Sequence, residues 1–84
     1  MKQIEIYTTR TCPYCIAAKR LLQKKGAAFA EIDVGADPAI RAAMTDRAGG
    51  RRSVPQIFIG GVHVGGCDDL HALEDAGKLD AMLA

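Results

Sequence analysis

The sequence lacks any long hydrophobic run. No stretch of about 18 apolar residues occurs, which excludes a membrane-spanning helix. The opening residues, MKQIEIYTTR, contain no apolar core of the kind a secretory signal carries. A cytoplasmic location and no membrane partner are therefore expected. Net charge is equally scarce: 11 Lys and Arg stand against 10 Asp and Glu, leaving +1, too little to make nucleic acid the main partner. Cysteine is present three times, whereas a secreted miniprotein stapled by disulfides carries more, in even number. In a reducing compartment, closely spaced cysteines point to redox catalysis or to metal binding. Repeats and low-complexity linkers are also missing.

What remains is an ordinary globular composition, 49% apolar and 25% charged over 84 residues. That length suits one domain spanning residues 1–84, with a thin core. The charge is unevenly spread. Residues 1–52 hold ten Lys and Arg against five Asp and Glu, or +5, and residues 53–84 hold one Lys against five acids, or −4. Solvated faces give one reading of that split; a basic rim that attracts a small anion gives the other.

The apolar pattern predicts the order β-α-β-α-β-β-α. Residues 3–8 (QIEIYT) alternate and are β-branched, which indicates a strand. Residues 13–25 form a helix: Pro13 suits the first helical position, Cys12 becomes the N-cap and Gly26 closes the end. Ala17, Ala18, Leu21 and Leu22 give it a core-facing stripe. Residues 28–34 (AFAEIDV) are a second strand. Asp37-Pro38 opens a second helix, which stops at Gly49-Gly50. Gln56–Ile59 and Val62–Val64 flank Gly60-Gly61, a hairpin signal. One last helix begins near Cys67 and runs on through Leu79 and Leu83. The first two strands should be parallel and the last two antiparallel, giving a four-stranded mixed sheet flanked by helices, an α/β fold.

The chemistry concentrates in Thr11-Cys12-Pro13-Tyr14-Cys15. Residues three apart on a helix share a face, with Cβ atoms about 5–6 Å apart, and a disulfide needs about 3.5–4.5 Å. Such a pair closes and opens with little backbone movement. The sulfurs are unequal. Cys12 faces the unpaired N–H groups and positive dipole end of the helix, which favour a thiolate. Cys12 is thus the exposed nucleophile, and Cys15, one turn inside, attacks second. Pro13 fixes the backbone between them, and Tyr14 presents a ring beside the sulfur. A zinc site built on the same pair would need two more ligands from Cys67, His63 and His71. No second Cys-x-x-Cys or His-x₃-His pair supplies them, so no metal is expected.

TCPYC after a strand, SVP before a hairpin and GGCDD opening the last helix together resemble the dithiol glutaredoxin family, across essentially the whole chain. The resemblance implies a thioredoxin fold and glutathione-dependent thiol–disulfide oxidoreduction, with Cys12 and Cys15 catalytic. It implies a glutathione site made of Tyr14, Arg51, Val54, Pro55, Gly66, Cys67 and Asp68. In the family the proline matching Pro55 is cis; read from the residue alone, it is a trans proline at a strand start. Val54 would offer its backbone to the glutathione cysteine, and Asp68 would pair with the γ-glutamyl ammonium. Taken alone, Asp68 and Asp69 read as helix caps. Arg51 would hold the glycine carboxylate, with Arg52 and Arg10 as alternatives, since Thr9 stands where many relatives carry Lys. Cys67 reads as a small half-buried residue near the ligand, or as a redox-sensing or dimer-forming thiol.

Glutathione, as co-substrate, and glutathionylated or disulfide-containing proteins are thus the expected partners of a monomer. Two other functions use the same thiols. A thioredoxin-like reductase fed by a flavoenzyme would need no glutathione pocket. A carrier of a glutathione-ligated iron–sulfur cluster would bridge two chains, and the proline after Cys12 speaks against it.

Overall fold

The computed structural model describes residues 1–84. Its elements are β1 (Ile4–Thr8), α1 (Pro13–Lys24), β2 (Ala30–Asp33), α2 (Pro38–Arg47), β3 (Gln56–Ile59), β4 (Val62–Gly65), α3 (Cys67–Asp75) and α4 (Leu79–Leu83). The strands form one sheet in the order β2-β1-β3-β4. β1 and β2 are parallel and β3 and β4 antiparallel, as expected from their connections, and β1 also pairs antiparallel with β3. No helix is long and apolar enough to cross a membrane.

The core lies between one sheet face and α1, α3 and α4. Ile4 and Ile6 of β1 and Ile57 and Ile59 of β3 meet Ala18, Leu21 and Leu22 of α1, Leu70 of α3, and Leu79 and Leu83 of α4. The alternating burial of β1 and the three-to-four spacing on α1 are the two periodicities that aim these side chains inward. The opposite sheet face is covered by α2, with Met44 and Phe58 fully buried. Tyr7 meets the Phe58 ring edge-on at 5.8 Å, and Arg47 of α2 lies 3.9 Å above it.

Two expectations need correction. The last helix is two helices, not one. At its break the Lys78 N–H bonds the Leu73 carbonyl (2.8 Å) and the Gly77 N–H bonds that of Glu74 (3.0 Å), a paired closure that needs a left-handed residue. Gly77 supplies it with φ +71°. The break turns α4 so that Leu79 and Leu83 both reach the core, and Lys25 at the end of α1 holds Glu74 (2.6 Å) and Asp80 (2.9 Å) across it. The second strand is shorter than residues 28–34, because its ladder with β1 starts at Glu5–Ala30. Ala28 and Phe29 precede that partner, and Phe29 packs against the core instead.

Leu22 is fully buried at the centre of this core. Replacing it with alanine should cost about 2–5 kcal/mol of unfolding free energy. Urea denaturation measures this, and a loss below about 1 kcal/mol would contradict the assigned core.

Candidate active site

The site forms where three elements end together: the start of α1, the loop before β3 and the start of α3. Cys12 is the N-cap of α1, in extended conformation (φ −94°, ψ 111°), with Pro13 at the first helical position. Its sulfur accepts the Cys15 backbone N–H at 3.2 Å. The first turn of α1 carries no acidic side chain, so no carboxylate competes for the open amides that favour a negative sulfur there. In the thiol form, Cys12 Sγ donates to the Val54 carbonyl at 3.7 Å.

Cys15 contrasts with it. It is 1% exposed, against a half-buried Cys12. Burial first, then the hydrogen bond with Cys12 and the charge of that neighbour, push its thiol up to about 12. The Thr9 backbone and the Lys19 charge offset part of this. Lys19 is held in place by Glu31 (2.9 Å), which also accepts from Thr8 Oγ1 at 2.8 Å. The third thiol, Cys67, is raised as well, by burial and then by the nearby Asp68 and Cys12 charges. All three cysteines are free.

Beside Cys12 opens a cleft of about 200 Å³, lined by Tyr14, Arg51, Ser53, Val54, Pro55, Gly66, Cys67, Asp68 and Asp69. All seven residues named from the resemblance as glutathione contacts fall on its wall. The Val54–Pro55 bond is cis, the family form rather than the trans bond read from the residue alone. Of the three candidate arginines, only Arg51 lines this cleft. Arg10 borders a different one, with Thr9, Thr11, Asp33, Gly35 and Ala36. Arg52 is exposed, and its carbonyl accepts from Arg41 at 2.9 Å. The residues named for a zinc site do not converge. His63 bonds Gln56 (2.7 Å), while His71 turns back on Cys67, 2.9 Å from its carbonyl and 3.4 Å from its sulfur.

Sequence reading missed the ion pair that shapes one end of the cleft. Gly66 is the N-cap of α3 and Asp69 its third helical residue. Asp69 Oδ2 accepts the Gly66 N–H at 2.8 Å and pairs with Arg51 at 3.0 Å. The Gly66 amide, then the Arg51 guanidinium, hold the Asp69 carboxyl below its ordinary range. Gly65 permits this arrangement. It has φ +119°, and a Cβ there would collide with both Asp69 Oδ2 and Arg51 Nη1. The sequence signal was the Asp three residues after a helix start, half of a capping box; nothing in it pointed across 18 positions to Arg51. Asp68 is left exposed at the cleft edge, beside the open amides of α3.

The comparisons with known proteins agree with this geometry. A model of the glutaredoxin family matches residues 4–64. A glutaredoxin of Pseudomonas aeruginosa is 60% identical over 84 residues, covering 100% of this chain and 99% of that protein. Glutaredoxin 3 of Escherichia coli is 52% identical over 83 residues, 99% of each chain. A crystal structure of a buckwheat glutaredoxin–glutathione complex matches with TM-score 0.88 and 36% identity, over 95% of this chain and 74% of that one.

Asp69 carries a pH prediction. Its folded value is depressed, so its stabilisation is fully present above the unfolded value near 3.8 and is lost as pH falls through that value toward the folded one. The Arg51–Asp69 pair is 47% and 46% exposed, so solvent screens it. Asp69→Asn should lose about 0.5–1 kcal/mol at pH 7, and the difference from the unsubstituted protein should shrink on acidification below pH 4. Urea denaturation across that range measures this. A difference independent of pH would contradict the assignment.

Proposed function

The chain belongs to the glutaredoxin family of thiol–disulfide oxidoreductases, with the thioredoxin fold of that family, and we propose that it uses glutathione to reduce glutathione mixed disulfides and protein disulfides through Cys12 and Cys15. One observation carries this reading: the Cys12 sulfur, at an open helix end, reaches the carbonyl of Val54, which lines a cleft that also holds the Arg51 cation and a second helix N-terminus. Glutathione has a thiol at its middle, a carboxylate at its glycine end, and a carboxylate with an ammonium at its γ-glutamyl end. Arg51 suits the first carboxylate, the α3 amides the second, and the exposed Asp68 the ammonium. The cleft is smaller than the ~300–1,000 Å³ of enclosed ligand sites, so the tripeptide lies half in solvent and its attached protein stays outside. The buckwheat relative, solved with glutathione, supports the same ligand.

The chemistry follows from the two unequal sulfurs. The Cys12 thiolate attacks the glutathione sulfur of a mixed disulfide. A Cys12–glutathione disulfide forms, and the protein thiolate leaves and takes a proton. With the Cys12 S–H gone, the Val54 carbonyl becomes free to accept an N–H from the bound tripeptide, like one rung of an added strand. A second glutathione then attacks, releasing oxidised glutathione and reduced Cys12. On a protein disulfide, Cys12 attacks first and Cys15 resolves the intermediate, forming the Cys12–Cys15 disulfide and expelling the substrate thiol. Two parts of the upward push on Cys15 come from Cys12. The charge of Cys12 vanishes when it enters a disulfide and its hydrogen bond weakens, so the Cys15 thiol, still raised by burial, comes down at the step that needs it. Two glutathiones then reduce the pair. A monomer working in the reducing cytoplasm completes the proposal.

Serine variants test the roles. Cys12→Ser should abolish all turnover with glutathione as reductant. Cys15→Ser should keep the reduction of a small glutathione mixed disulfide and lose the dithiol route. Equal activity of the two variants would refute the assignment, and wild-type protein inactive with glutathione alone would refute the reductant.

A further inference from the structure

Behind the Ser53–Pro55 loop runs a chain of polar contacts that the chemistry above does not use. Gln56, the first residue of β3, is 0% exposed. A buried primary amide must find partners for both ends, and this one does. Its Nε2 donates to the Ser53 carbonyl at 3.0 Å and reaches Ser53 Oγ at 3.4 Å. Its Oε1 lies 2.7 Å from His63 Nε2. A carbonyl oxygen only accepts, so the Ser53 contact fixes which way the amide points. His63 Nε2 must then carry the hydrogen.

His63 is itself held from behind. Its ring stacks on Phe58, 4.9 Å between centroids and 28° between planes. Phe58 lies beneath the Arg47 guanidinium, which grips both carboxylate oxygens of Glu5 at 2.8 and 2.9 Å. A continuous line therefore runs across the α2-covered sheet face, from Arg47 through Phe58, His63 and Gln56, to the loop that forms one wall of the cleft.

We propose that Gln56 and His63 are positioning residues for the cleft: through the Ser53 carbonyl they fix the Val54 peptide that pairs with glutathione. The inference rests on reading the cleft as a glutathione site. Neither residue touches the ligand or the reacting sulfurs. Ser53 and Val54 precede the ladder, whose first β3 residue is Gln56, so the sheet alone does not pin them. A wall that is fixed before binding loses less freedom on binding. Release of the loop should therefore appear in KM and leave kcat in place.

Two variants test this. Gln56→Glu, in its ionised form, still accepts from His63 and has no hydrogen to give Ser53. His63→Phe keeps a ring on Phe58 and removes the donor. Steady-state kinetics with a small glutathione mixed disulfide should show KM raised about 2- to 12-fold, the worth of one neutral hydrogen bond, with kcat little changed. Backbone 15N order parameters, measured without glutathione, should fall at Ser53 and Val54 and stay as in wild type in β1 and β3. Should Gln56→Glu fail to fold, His63→Phe decides alone. Unchanged order parameters at the loop overturn the proposal, as do lowered ones with an unchanged KM. Wild-type protein that ignores glutathione would sink the functional reading, and the order parameters would then decide the loop's anchoring by themselves.

Discussion

An α-helix that begins at a cysteine brings its first, unpaired amides to a sulfur atom, and the rest of this molecule is arranged around that meeting. Cys12 is half exposed and takes the Cys15 N–H. The same turn that opens amides to Cys12 sinks Cys15 to 1% exposure. One local geometry thus produces two chemically different thiols from identical side chains. Pro13, without an N–H, removes a donor that would otherwise need a partner at the first helical position.

That asymmetry would be of little use on a loose helix. α1 is anchored by Ala18, Leu21 and Leu22 against β1 and β3, and by Lys25 to Glu74 and Asp80. The other two walls are fixed by different means. The α3 wall is set by the Asp69 bond to its own N-cap amide and by the reach of Asp69 to Arg51. The cis-proline wall is joined through Gln56 to the opposite face of the sheet. The sheet is therefore the common frame, and both of its faces contribute to one small cleft.

Much of this was legible in the residues. Alternation in QIEIYT, the proline and glycine that bracket α1, and Gly60-Gly61 between two apolar runs each signal local structure by local means, and the structure follows them. The final helix misled because Leu79 and Leu83 continue an apolar helical pattern, and the break depends on a left-handed turn at Gly77 that periodicity does not register. The seven residues met around one cleft because family motifs keep the order of elements that meet in space. What stayed hidden was pairing between distant polar side chains. Arg51 with Asp69 spans 18 positions and Gln56 with His63 spans seven across a hairpin. Gln56 looked like an ordinary strand residue, since its significance lies in being sealed from water with every polar atom satisfied. No feature of the chain as a string distinguishes that from a solvent-facing amide.

The central claim, that its place at an open helix end makes Cys12 the reactive one of the three thiols, is tested most directly by alkylation of the fully reduced protein at pH 6, with the modified residue mapped by mass spectrometry and the rate set beside that of free cysteine. The account predicts that iodoacetamide labels Cys12 well ahead of free cysteine, while Cys15 and Cys67 stay unmodified until the chain is unfolded. Labelling of Cys12 no faster than free cysteine, or spread evenly over the three thiols, would contradict it.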